Sequence, residues 1–190
     1  YYKTTGTGYA THEFNWISRN IPSELNAQLI DVTSSNAVLS LFGPNARDIL
    51  QVLTVNDVSD NGHPFGSARQ ISIAGCPVLA LRITYVGELG WELHFPVEYA
   101  QTIYNTLIEA GLPLGLRNAG YRAIETLRLE KGYRAWSSDI GPDHTPDEAG
   151  LGWAIKMKSN ISFKGREAIA KQRAEGIKTV SYTHLRAHET

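Results

Sequence analysis

Residues 69–84 read RQISIAGCPVLALRIT, and this stretch constrains the fold more than any other. RQISI alternates polar and apolar residues, the period of a strand with one buried face. VLALRIT is apolar but short, and a Gly-Cys-Pro turn at 75–77 separates the two runs. Two strand-length runs joined by so few residues pair antiparallel. Any fold for this chain must therefore build around a hairpin near its middle.

The flanking elements extend that hairpin. AVLSLF and WELHF each have strand length and β-forming side chains. QLIDVT, at 28–33, reads as another strand. Helices are expected at 11–21, where Phe14, Ile17 and Ile21 share a face ahead of Pro22. A second should follow Pro44, with Ala46, Ile49, Leu50 and Leu53 inward. A third should run from Pro96 to about Ala110, with Val97, Ala100, Ile103, Tyr104 and Leu107 facing inward and Gly111 as its stop. Further helices fit 118–131 and FKGREAIAKQRAEG. WAIKM reads as a last strand, and 137–150 as a loop. Strands that neighbour in sequence point to α+β with mixed or antiparallel sheet, not to a doubly wound fold.

The chain has 190 residues, 42% of them hydrophobic, enough for one well-buried core. A net charge of -1 gives no basic excess for nucleic acid or an anionic membrane surface. The single cysteine, Cys76, sits among apolar neighbours, which favours a buried structural thiol in a reducing compartment. The six histidines are scattered, without metal-ligand spacing, so no metal site is expected. The stretch SYTHLRAHET, at 181–190, has no apolar periodicity; the divergent tail over 179–190 reads either as a frayed end or as a non-native stretch.

Several motifs invite a functional reading and have plainer ones. GTG at 6–8 lacks the third glycine of a dinucleotide loop, since position 11 is Thr. It reads as a glycine turn. The acids Asp139, Asp143, Asp147 and Glu148 do not have calcium-loop spacing and read as a solvated, turn-rich loop. Glu125 and Arg128 lie three apart on a helix and read as a surface ion pair.

YVGELGWEL, at 85–93, is harder to explain as ordinary turn and strand. One reading places Tyr85 and Trp91 in the core. The other makes the segment a platform for a flat heteroaromatic ligand. An aromatic ring can flank such a ligand. A carboxylate can accept two N–H bonds from an amino-pyrimidine edge. Glycines let backbone come close.

This segment resembles the Y-[TV]-G-E-x-G-[FWY]-E motif of the folate-binding aminomethyltransferase family, which includes the glycine cleavage T-protein. LSLFGPNARDIL, AGYRAIETLRLEKGYRAW and DIGPDHTPDEAGLGWAIKMK with FKGREA match the family in the same order. The likeness spans residues 1–178, a partial folate-binding domain of T-protein-like fold, incomplete at both ends. It is nearest to the C-terminal region of sarcosine and dimethylglycine dehydrogenases. By resemblance, tetrahydrofolate is the cofactor. Tyr85 would lie beside its ring system and Glu92 would hold the pterin edge, with Glu88 a further candidate. The family's folate-contacting arginine is replaced by Ile124, and Arg122 or Arg128 is the candidate substitute. The catalytic aspartate and the FAD domain would lie upstream of this chain, so no catalytic residue is assigned within it. The resemblance implies capture of a one-carbon unit from an N-methyl amine as methylenetetrahydrofolate. It implies the mitochondrial matrix in eukaryotes and the cytoplasm in bacteria. The alternatives are a non-catalytic regulatory subunit of pyruvate dehydrogenase phosphatase, with a protein partner, or a glycine cleavage aminomethyltransferase.

Overall fold

A computed structural model describes residues 1–177; the tail expected at 179–190 lies outside the described residues. The central hairpin forms, but it turns at Ala74–Gly75 (φ 49° and 77°), so Cys76 and Pro77 belong to the second strand, which ends at Leu81. β2 (Ala68–Ile73) pairs antiparallel with β3 (Cys76–Leu81). β1 (Asn36–Phe42) and β4 (Gly90–Pro96) complete a four-stranded sheet in the order β1-β4-β3-β2. Every pairing in it is antiparallel.

Period-2 alternation divides the sheet into two faces. Leu41 on β1, Ile71 and Ile73 on β2, Val78 and Ala80 on β3, and Trp91, Leu93 and Phe95 on β4 belong to one buried cluster. The helices α2 (Ala46–Leu53) and α3 (Ala100–Gly111) supply Ile49, Leu50, Ile103 and Leu107 to the same cluster. Cys76 is buried there as a free thiol. On β4 the other face carries Glu92 and His94.

The remaining helices are α1 (Ala10–Asn20), α4 (Tyr121–Glu130) and α5 (Arg166–Glu175). Several expectations need correction. QLIDVT forms no strand; its apolar residues wall a cavity, and Asp31 Oδ1 accepts the Thr33 N–H to make a local turn. WAIKM contains a 3-10 turn, Gly152–Ala154, rather than a strand, and Trp153 is exposed. α3 ends at Gly111, but that glycine is right-handed (φ -87°) and is no left-handed stop. The chain continues through Leu112–Leu114 to Gly115, which takes the left-handed conformation (φ 85°). Gly111 serves packing instead, for a Cβ there would come within 2.4 Å of Leu116 Cδ2. On α3, Ile103 and Leu107 are buried but Tyr104 is exposed, and Val97 is exposed in the 3-10 turn Val97–Tyr99 ahead of the helix. Asp143 is exposed as expected, but Asp139, Asp147 and Glu148 are partly buried. Asp147 takes a two-pronged bond from Arg173 at 2.7 and 2.8 Å, and Glu148 accepts the Thr145 N–H and hydroxyl. Both carboxyls are held below their ordinary range by these bonds.

His63 is fully buried, its ring 6.1 Å from Trp91. Burial holds it below its ordinary value of 6.5, helped by the charges of Arg69 and Arg82 and opposed by backbone groups of Ser67 and Ala80. The unfolded chain therefore binds this proton at a higher pH than the folded one. Stability should be insensitive to His63 above about pH 6.5 and should fall as pH drops from there through the lower folded value, at up to about 1.4 kcal/mol per pH unit. Urea unfolding between neutral and mildly acid pH checks this, and His63→Gln should flatten the slope.

Candidate functional site

The 82–89 connection between β3 and β4 carries the motif, and its shape is local. Thr84 Oγ1 accepts the N–H groups of Val86 and Gly87, turning the chain. Gly87 then takes φ 75°, which side chains with a Cβ rarely adopt. At Gly90 the requirement is space: an added Cβ would lie 2.1 Å from the Leu41 carbonyl oxygen. The turn thus ends tight against β1 and delivers Trp91 to the core and Glu92 to the opposite face.

On that face lies a cavity of about 440 Å³. Val38, Ser40, Glu92 and His94 form its floor on β1 and β4. Its walls come from the N-terminal segment, including Tyr2 and Lys3, from Phe14 and Ile17 of α1, and from Leu29 to Thr33. The expected apolar face of α1 therefore lines a cavity, and α1 has no buried residue. The volume falls within the range of small-molecule sites, and the lining mixes apolar side chains with polar and charged ones, among them Lys3, Glu13, Asp31 and Glu92. Glu92 has 27% of its side chain exposed, enough to meet a ligand from a shielded position.

The other expected site residues stand elsewhere. Tyr85, Glu88 and Arg128 do not line this cavity. Tyr85 is 39% exposed, so it is not a core residue. Its hydroxyl donates to the Arg134 carbonyl at 3.0 Å, and its ring stacks on Tyr133 with centroids 6.1 Å apart. Partial burial pushes the phenol up from its ordinary value. Glu88 is half-buried.

Arg128 is not a surface ion-pair member. It is 3% exposed. Its guanidinium forks onto Glu125, with Nε and a terminal nitrogen each 2.8 Å from a carboxylate oxygen. It also donates to Asp139 and to the Tyr133 carbonyl. The bond to Glu125, then Asp139, raises its pKa against the opposing effect of burial. The i, i+3 spacing identified the Glu125 pair; the approach of Asp139 from eleven residues on had no local signal.

Two further groups went unnoticed in the sequence. His94 shares the cavity floor with Glu92, and its ring nitrogen Nδ1 lies 3.2 Å from the Tyr2 hydroxyl. Its even spacing from Glu92 on a strand was the available signal. Arg82 is buried against the Trp91 ring (5.7 Å to the centroid), donates to the His63 carbonyl at 2.7 Å and pairs with Asp60. It reads as part of the core's edge. Among the described residues, no three His, Cys, Asp or Glu side chains gather to hold a metal, and no helix is long and apolar enough to cross a membrane.

Residues 1–159 match the family described as the GCVT N-terminal domain. Mitochondrial sarcosine dehydrogenase of Mus musculus is 43% identical over 179 residues, which cover 94% of this chain and 20% of the relative. Mitochondrial dimethylglycine dehydrogenase of Rattus norvegicus is 38% identical over 175 residues, 92% of this chain and 20% of that protein. The chain thus spans about a fifth of these relatives' length. The crystal structure of glycine cleavage system aminomethyltransferase T from Bartonella henselae superimposes with a TM-score of 0.72 at 25% identity, covering 90% of this chain and 45% of that one.

Proposed function

Since the chain belongs to the GCVT N-terminal domain family, we propose that it forms part of the tetrahydrofolate-binding region of a flavin-dependent N-methyl amine dehydrogenase of the sarcosine or dimethylglycine type. The region would span residues 1–178. The observation that carries the proposal is Glu92: the motif's last glutamate stands on the floor of a cavity of about 440 Å³, beside the apolar side chains of Phe14, Ile17 and Val38. A carboxylate there suits a planar ring edge that offers adjacent N–H donors. Val38, Phe14 and Ile17 suit the ring's faces.

Tetrahydrofolate, when bound, supplies the nitrogens that take up the one-carbon unit. The tasks of this chain's residues are binding, orientation and shielding from water. Glu92 accepts from the ring edge and sets its register. The N-terminal segment and 29–33 close over it. Tyr85, set beside Tyr133, would flank the folate, with Glu88 next to it on the same turn. Arg128 anchors the segment carrying Tyr133 and, through it, the Tyr85 position. The flavin chemistry belongs to another part of such an enzyme, and the expected compartment is the mitochondrial matrix in a eukaryote and the cytoplasm in a bacterium.

Glu92→Ala should weaken tetrahydrofolate binding to the intact protein by about 1.5–3 kcal/mol, the worth of a charge-assisted hydrogen bond. Isothermal titration or fluorescence quenching measures it. An unchanged affinity would remove Glu92 from the site and with it the main support for the proposal.

A further inference from the structure

His94 follows Glu92 by two residues on β4, so both side chains stand on the cavity face. It is 4% exposed. Its cross-strand neighbours are apolar, Val38 on β1 and Leu79 on β3. Packing alone would be served there by another apolar side chain. Two polar groups face the imidazole instead. The Tyr2 ring meets it edge-on at 5.5 Å, with the hydroxyl 3.2 Å from Nδ1. On the other side, Glu92 Oε2 lies 3.5 Å from Nε2. Nε2 has no hydrogen-bond partner within normal distance. A buried ring nitrogen left in that state is costly, and Glu92 is the group placed to relieve it.

The chemistry of the partners selects the tautomer. An ionised carboxylate can only accept, so the favourable form carries its proton on Nε2. Nδ1 then accepts from the Tyr2 hydroxyl, which locks that form. We infer that His94 is a positioning residue for Glu92: its Nε2–H holds Oε2 and so aims the carboxylate into the cavity. Each carboxylate oxygen has two acceptor sites, so Oε2 can receive His94 and still join Oε1 in receiving the ligand's N–H edge. At 3.5 Å the contact is longer than a formed hydrogen bond, and it tightens when ligand draws the carboxylate into place. This inference rests on the proposed folate site, and it adds the element that orients the acceptor.

The test is titration of the intact protein with tetrahydrofolate, using wild type, His94→Leu, His94→Gln, Glu92→Ala and the Glu92→Ala/His94→Leu double variant. Gln keeps an N–H donor near the Nε2 position, whereas Leu keeps only bulk. His94→Leu should weaken binding about tenfold and His94→Gln less than about threefold. In the Glu92→Ala background His94→Leu should add nothing, because His94 acts through Glu92. An equal loss in both backgrounds, or unchanged affinity in His94→Leu, overturns the inference. If wild type itself does not bind, the folate site is what fails. The His94–Glu92 pairing is then decided without ligand by nitrogen-15 NMR of the ring. An Nε2–H tautomer whose resonance moves in Glu92→Gln supports it. An Nδ1–H tautomer, or a resonance indifferent to Glu92→Gln, overturns it.

Discussion

Trp91→Ala should lower stability by about 3–5 kcal/mol, the usual cost of truncating a large core aromatic. Trp91 is fully buried and is the largest such side chain. It stands on β4 opposite Leu41, between the sheet's neighbours and the two helices that close the core. Its loss removes a large apolar area and leaves a cavity in a close-packed interior. A domain with a typical net stability of about 5–15 kcal/mol keeps little after that loss. Hydrogen exchange on the β4 amides should accelerate by about a hundredfold or more, since each 1.4 kcal/mol is a factor of ten. Trp91→Phe separates ring packing from the indole's polarity. The indole Nε1 is buried with no acceptor. Phe removes that unpartnered donor while keeping most of the contact, so the loss should be only about 1 kcal/mol. A Phe variant as damaged as the Ala variant would show that Nε1 has a structural role.

Arg128→Met should cost about 3 kcal/mol, at the low end for breaking a buried ion pair. The low end applies because Glu125 is 43% exposed and can rehydrate once its partner is gone. Asp139, at 17%, cannot do so as easily. It would keep the Ala135 N–H at 2.8 Å but lose the Arg128 guanidinium. Arg128→Lys should recover little, because one ammonium cannot fork onto Glu125 and still reach Asp139 and the Tyr133 carbonyl. Thermal unfolding measures the stability loss. Fluorescence of the Tyr85–Tyr133 region should also report a loosened loop, since Arg128 holds the Tyr133 carbonyl on which that stack depends.

The hairpin at 69–84 and the strand WELHF were readable because their signal is local: alternation with period 2, bounded by turn residues. The buried set on α2 was readable for the same reason at helical spacing. QLIDVT failed because an apolar run of that length says only that one side will be covered. It does not say whether a strand ladder or a cavity wall does the covering. Gly111 failed because a glycine near a helix end looks alike whether it is a left-handed stop or makes room for Leu116.

The candidate site divides along the same line. Tyr85, Glu88 and Glu92 were singled out by the likeness of nine consecutive residues to a family motif; their spacing alone left the segment open between a turn and a ligand platform. That Glu92 faces a cavity while Tyr85 stacks on Tyr133 outside it depends on contacts between distant segments. The N-terminal Tyr2 crosses 92 positions to reach His94. Arg128 is buried because Asp139 comes back to it after a loop. No local periodicity encodes such meetings. They arise because the sheet has two faces, one filled by helices that announce themselves and the other covered by a segment whose residues gain burial only once the sheet exists.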